Sequence, residues 1–361
     1  MNDANELISF IASMSGEGNL RVEENLGEGY VRLRVSEAER RQAKHDIQHV
    51  EDIVIEMLRN ARDAGADKVY LATTKDDGVR TLVFLDNGSG VPQDMQERIF
   101  DARVTSKLES MKMDRWGVHG RGMALFSIKQ NTDEARVVAS DVDLGSVFRV
   151  SVATDRLGER ADQSSWPQAV KDEDGHYVCA RGPHNIIRAA CEFALEELRA
   201  CDVYLGSPSE IAATLHAQAS SRLDASRLLF IDDETELPVV DRLGLASDAE
   251  DFIRICSGLG LEMSERTAHR ILAGQIKPVR GVTARLLRER DSSTHASAPV
   301  DLAKDRRGLR IAKDDMAQFS RAVERDFNDL ASRYYLNLCG DPKIRVSRDR
   351  ITVTFDLAKE E

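Results

Sequence analysis

The stretch EMLRNARDAGADKVYLATTKDDGVRTLVFLDNGSGVP occupies residues 56–92 and decides how the chain is read. Its first half has helical spacing. At 100° per residue, Glu56, Asn60 and Asp63 fall within about 60° of one another on a helix surface. A solvated polar face is the plain reading of such a triplet. Asn is a poor helix former, however, because its side chain competes for backbone hydrogen bonds, so a mid-helix Asn usually has another reason to be there. The helix runs on into a strand that ends in Asp86-Asn-Gly-Ser-Gly90. Glycines at such a turn allow positive φ and a close approach of backbone to a ligand.

Working outward, Ser36 starts a helix over 37–64 that stops near Gly65, with Ile47, Val50, Val54, Met57, Leu58 and Ala61 as its apolar stripe. Alternating apolar residues predict strands at 30–35, 68–73, 80–85, 134–139 and 146–153, and 123–129 reads as a buried helix. A short apolar helix is expected around residues 7–11, and the segment 88–121 reads as loop-rich. The polar, poorly patterned stretch 156–176 suggests a boundary. Beyond it the pattern predicts helices at 185–200 and 207–225, a strand at 203–205, and short helical pieces over 248–290 broken at Gly258, Gly260 and Gly274. A linker at 291–310, a helix at 314–336 and strands at 343–346 and 350–356 complete the chain. The expected organisation is a domain over 1–155, a mixed linking region over 156–247, a basic helical module over 248–290, and a helix with a β-hairpin over 311–361.

Bulk properties narrow the classes. With 361 residues, 42% hydrophobic and 31% charged, the chain has the composition of a globular protein of two or three domains. No apolar run approaches a membrane span of about 20 residues, and the acidic amino terminus does not read as a signal peptide. The five cysteines are odd in number and widely spaced, which predicts reduced thiols and a cytoplasmic location rather than a disulfide frame or zinc site. A net charge of −12 argues against a surface that coats nucleic acid throughout.

A second glycine cluster, Gly117-Val-His-Gly120-Arg-Gly122, precedes the helix at 123. Glycine-rich turns that open a helix expose N–H groups to phosphate. With Glu56-x-x-x-Asn60-Ala-x-Asp63-Ala64, Asp86-x-Gly88-x-Gly90 and Gly145-Ser-Val-Phe148, it completes four motifs in order. This set resembles the nucleotide site of the GHKL superfamily, which comprises gyrase, heat-shock ATPase chaperones, histidine kinases and MutL, over residues 37–153. Phe100-Asp-Ala-Arg-Val-Thr-Ser-Lys107 resembles the A-T-S-K segment of MutL proteins. The cluster at 117–125 is similar to MutL's G-F-R-G-E-A-L, with Arg-Gly replacing Glu. No P-loop is present, and the glycine cluster lacks the strand-turn-helix setting of a dinucleotide fingerprint.

The resemblance implies an α/β sandwich, a mixed sheet with helices on one face, followed by a mainly helical region. It implies ATP and Mg²⁺ as ligands. Asn60 would coordinate Mg²⁺, Asp86 would accept from the adenine amine with support from Ser146, and Gly88 and Gly90 would let the purine pack closely. Gly117, Gly120 and Gly122 would place amides on the phosphates, with Lys107 as a further phosphate contact. Asp63 would brace the site, and Glu56 would polarise the attacking water. It also implies slow ATP hydrolysis coupled to a shape change or homodimerisation. A regulator or scaffold that binds ATP without turnover is the alternative. A histidine kinase fits less well, because His45 and His49 lie on the helix that carries Asn60 and only about 35 residues precede that helix.

In the second half, residues 264–290 hold seven basic residues (Arg266, Arg270, Lys277, Arg280, Arg285, Arg288, Arg290) against two acidic ones (Glu265, Glu289). The 248–290 segment resembles a helix-two-turns-helix module, as found in type IIB topoisomerase B subunits, and would contact DNA phosphates. A solvated face or an acidic partner's docking surface is the plainer alternative. Gly274-Gln-Ile-Lys277 is similar to the gyrase Q-T-K loop, which makes Lys277 a candidate to complete the ATP site.

Overall fold

The computed structural model describes residues 22–106, 112–114, 117–119, 122–198, 200–223 and 233–287, together with parts of 316–359. The chain divides into two compact units, Met1–Asp291 and Ser292–Glu361. The helix expected at 7–11 lies outside the described residues, as does most of the one expected at 314–336.

The first unit begins with β1 (Val22–Gly27) and β2 (Tyr30–Leu33), an antiparallel pair. The helix expected over 37–64 is two helices, α1 (Glu37–Asp46) and α2 (Val50–Asp63). Ser36 caps α1 as predicted, with Glu39 closing a capping box. Between the helices Ile47 and His49 are extended, and Asp52 Oδ2 accepts from the amides of Gln48 (2.8 Å) and His49 (2.9 Å). Asp52 therefore starts a new helix. Its signal was hidden because the apolar stripe continues in phase through Ile47 and Val50. His45 consequently does not share a helix with Asn60, and His49 is the N-cap of α2.

The main sheet is built from β3 (Lys68–Asp76), β4 (Val79–Asp86), β8 (Glu134–Ser140), β9 (Ser146–Ala153) and β12 (Asp202–Gly206), in the order β12-β3-β4-β9-β8. β12 runs parallel to β3 and the other neighbours are antiparallel, so the sheet is mixed. β5 (Val104–Thr105) joins β2, β6 (Lys112–Asp114) pairs with β7 (Gly117–His119), and β10 (Gln168–Lys171) pairs with β11 (Tyr177–Arg181). The first strand of the last hairpin falls in the stretch that showed no pattern in the sequence, and its second strand follows directly after it.

Side chains alternate across the sheet. Val69, Leu71, Leu82, Phe84, Phe148 and Val150 face one core, shared with α2, α3 (Ala124–Asn131) and α4 (Ile186–Glu196). Tyr70, Ala72, Val83, Leu85 and Val147 face a second core, formed with α5 (Pro208–Arg222), α6 (Ala249–Gly258) and α7 (Glu265–Leu272). The helices of 37–153 do lie on one face, as expected. The chain beyond 156 adds β12 to the same sheet, packs α4 beside α2 on the first face, and covers the opposite face with α5, α6 and α7. The apolar run Leu82-Val-Phe-Leu85 carries the physical reason, since a strand buried on both faces reads as continuous rather than alternating.

The second unit contains β13 (Leu336–Leu338) paired with β16 (Leu357–Lys359) and β14 (Lys343–Val346) paired with β15 (Ile351–Thr354), all antiparallel. Among the described residues no helix is long and apolar enough to cross a membrane, and the five cysteines are free thiols.

Candidate functional site: a cavity between α2 and the sheet

A cavity of about 490 Å³ opens on the α2 face of the sheet. α2 lends it Glu56, Arg59, Asn60 and Asp63, β4 lends Phe84 and Asp86, and β9 lends Ser146 and Phe148. The helix triplet and the strand-end aspartate, separated by a β-hairpin in sequence, thus meet on one wall. Two-residue periodicity places Asp86 on the same face as Phe84. The β4–β9 register sets Asp86 directly opposite Ser146.

Asp86 is buried, at 4% exposure, and its Oδ1 accepts from Gly88 N at 2.8 Å, which fixes the carboxylate's direction. Ser146 is buried and bonds to Ser140, whose hydroxyl also donates to Gly145 O (2.8 Å) and accepts from Val91 N (2.8 Å). Asn60 behaves differently from its neighbours. Its Nδ2 is buried with no hydrogen-bond partner, and no side-chain hydrogen bond engages its amide among the described residues. A buried amide left unpaired costs stability unless a ligand or water completes it.

The charged groups of α2 are engaged. Arg59 Nη1 lies 2.6 Å from Glu56 Oε1, and the Arg59 side chain is only 4% exposed. Arg62 holds Asp63 at 3.2 Å and reaches Glu197 at 2.8 Å. Burial works to lower the pKa of Arg62, but Glu197 and Asp63 outweigh it and raise it. Asp63 therefore braces α2 through Arg62 against the chain that follows α4, in addition to lining the cavity.

The two glycines of the Asp86 turn act in chain packing. A Cβ on Gly90 would lie 1.8 Å from the carbonyl oxygen of Asp141, and φ there is +71°. A Cβ on Gly88 would meet Ala64 O at 2.8 Å, and Gly88 does not line the cavity. These close approaches are to the 141–145 loop and the end of α2, and Gly90 also lines the cavity. Gly122 closes the cavity's far side with its carbonyl bound to Arg103 N (2.9 Å). Gly117 lies in β7, while Lys107 and Gly120 lie outside the described residues.

Lys277 is exposed and belongs to the chain covering the opposite face, beside Ile276 and Val279 of the second core. It is not among the residues that line this cavity.

Several lining residues were not singled out from sequence. Arg59 is three residues from Glu56, a spacing that brings side chains together on a helix. Glu39, Gln42 and Asp46 enter from α1, and Tyr30 enters from β2 beside Ser106. Burial raises the pKa of the Tyr30 phenol, partly offset by its bond to Ser106. Burial alone would raise the pKa of the Glu39 carboxyl, but bonds from Ser36 and Arg103 outweigh it and lower it. These contacts needed the break between α1 and α2, which turns α1 towards the cavity mouth.

Comparison with known proteins agrees with this geometry. Residues 45–156 match the model of the histidine kinase-, DNA gyrase B-, and HSP90-like ATPase family. Over 121 residues the chain is 36% identical to the DNA mismatch repair protein MutL of Chlorobium chlorochromatii (strain CaD3). That match covers 33% of this chain and 19% of the relative, so the chain spans about a fifth of the relative's length. Residues 45–156 carry an ATP-binding domain of the histidine kinase-, DNA gyrase B-, and HSP90-like ATPase type.

Proposed function

We propose that the protein binds ATP with Mg²⁺ in the α2 cavity and hydrolyses it slowly, with Glu56 as the general base. The observation that carries this reading is the position of Asn60, whose buried Nδ2 has no hydrogen-bond partner among the described residues, on the same wall as Asp86 and Ser146, which the strand register pairs. Among the described residues no three acidic, His or Cys side chains are grouped to hold a metal. That fits Mg²⁺, which commonly takes one or two protein oxygens and completes its shell with phosphates and water. A hard cation held by Asn60 would neutralise phosphate oxygens. The chain's own part is to orient the nucleotide: Asp86 accepts from the adenine amine, Ser146 supports that contact, and Asn60 offers its amide oxygen. Gly117, Gly120, Gly122 and Lys107 would contact the phosphates, and nucleotide binding would couple to a shape change or to homodimerisation. Asn60→Ala abolishes Mg²⁺-dependent ATP binding in calorimetry on this reading, and near-wild-type affinity would sink it. Measurable affinity without turnover above background would favour an ATP-binding regulator instead.

A specific observation favours DNA as a partner. Arg266, Arg270, Lys277 and Arg280 are exposed, and no ion pair engages them among the described residues. α7 buries Ala268 and Ile271 against the second core, which turns its basic side to solvent. Arg285 is committed elsewhere, stacked 3.8 Å over the Trp166 ring, and Arg288 and Arg290 lie outside the described residues. Such a strip binds phosphates without reading bases. Titration of a duplex oligonucleotide at several salt concentrations tests it, and no binding at ~50 mM salt would exclude it.

A further inference from the structure

The cavity is acidic for a site that takes a polyphosphate. Among its described lining residues are five carboxylates, Glu39, Asp46, Glu56, Asp63 and Asp86, and a single cation, Arg59. Lys277 lies between Ile276 and Val279, which pack on the other face of the sheet, and is not among the lining residues. A guanidinium keeps its charge at any working pH and presents five donors in a planar fork suited to phosphate oxygens. Arg59 is buried, borders the cavity, and sits next to Asn60 and about one helical turn from Glu56, with Nη1 2.6 Å from Glu56 Oε1.

We infer that Arg59 reads the terminal phosphate: Glu56 holds its guanidinium until a γ-phosphate competes for it, and that exchange frees the Glu56 carboxylate only when a triphosphate is present. This rests on the ATP-binding reading and adds to it a device that tells triphosphate from diphosphate. The carboxylate and the phosphate are rival acceptors for one buried cation, so weakening either one strengthens the other's hold.

The test is calorimetric binding of a non-hydrolysable ATP analogue and of ADP, both with Mg²⁺, to the full chain. Arg59→Gln should weaken the analogue by about 10- to 100-fold, the worth of a charge-assisted bond, and ADP by no more than about threefold. Arg59→Lys should fall between wild type and Arg59→Gln. Glu56→Gln, which removes the rival carboxylate, should tighten the analogue by about 3- to 10-fold and leave ADP unchanged. Thermal melts without nucleotide check folding, and if the Arg59 variants do not fold, Glu56→Gln decides alone. Equal weakening of both ligands by Arg59→Gln, or an unchanged analogue-to-ADP ratio in Glu56→Gln, overturns the inference while the ATP-binding reading stands. If wild-type protein binds neither ligand, the ATP-binding reading falls and this inference falls with it.

Discussion

The two faces of one sheet are put to different uses. On the α2 face the apolar core is interrupted by a cavity, and buried or half-buried polar groups gather there: Arg59, Asp86 and Ser146 are all under 5% exposed. On the opposite face Phe252, Ile255, Leu259, Leu261 and Ala268 close over Tyr70, Val83 and Leu85, with the basic residues kept at the solvent side. Adjacent residues of the same strand serve the two: Phe84 borders the cavity and Leu85 the sealed core. Polar groups under a well-packed layer must be paired or completed by a ligand, whereas apolar groups gain from removal of water alone. One face can therefore lose stability for the sake of a site while the other supplies stability.

This contrast can be broken by mutation, and the largest effect belongs to the cavity face. Glu56→Ala should lower ATP turnover by about 10²–10⁴-fold, the usual worth of a positioned general base, with folding intact. Steady-state kinetics beside a thermal melt checks it, and equal turnover removes Glu56 from the chemistry. On the sealed face, Phe252→Ala should cost about 3–5 kcal/mol in denaturant unfolding, as expected for deleting a fully buried aromatic ring. The folded fraction should keep wild-type ATP affinity, and a matching loss of affinity would show that the two faces are not independent. Asp86→Asn should weaken ATP binding, because an uncharged amide is the poorer acceptor, by a smaller factor than Asn60→Ala.

The basic strip sharpens the comparison from the other side. Arg266→Gln, Arg270→Gln and Arg280→Gln together should flatten the logarithmic salt slope of duplex binding by about 2–3 units. Nucleotide affinity should not change. The smallest effect concerns the hairpin end of the sheet. Glu159 bonds Arg80 (2.8 Å) and Lys75 (2.7 Å). Burial works to raise its pKa, but those two cations outweigh burial and depress it. A carboxylate with a depressed folded pKa stabilises above its unfolded pKa of about 4.3 and loses that contribution as pH falls through the folded value. Glu159→Gln should therefore lower Tm at pH 7, with the gap to wild type narrowing on acidification below about pH 4. A gap that stays constant with pH would show that the pair contributes nothing through charge.

The features legible in the sequence were those fixed within a few residues. Period-two alternation located β9 at Ser146–Ala153 to the residue, and Ser36 announced the start of α1. Helical spacing grouped Glu56, Asn60 and Asp63, and the structure puts all three on the cavity wall. The break between α1 and α2 was missed because Asp52 competes with an apolar stripe that stays in phase. The hairpin at 168–181 was missed because its strands are short and largely exposed, which leaves little alternation to detect.

By itself, then, the sequence determined the local elements and the order of the motifs, because backbone propensity and side-chain period act over a single turn or strand. Tertiary structure alone decided the rest. It brought Glu197 to Arg62 across 135 positions, and it seated β12 beside β3. It turned Lys277 and the arginines of α7 to the face away from the cavity, and it buried Arg59 against Glu56. Such pairings depend on which surfaces remove most apolar area from water and on which buried charges find partners, and no local window of residues contains both sides of that choice.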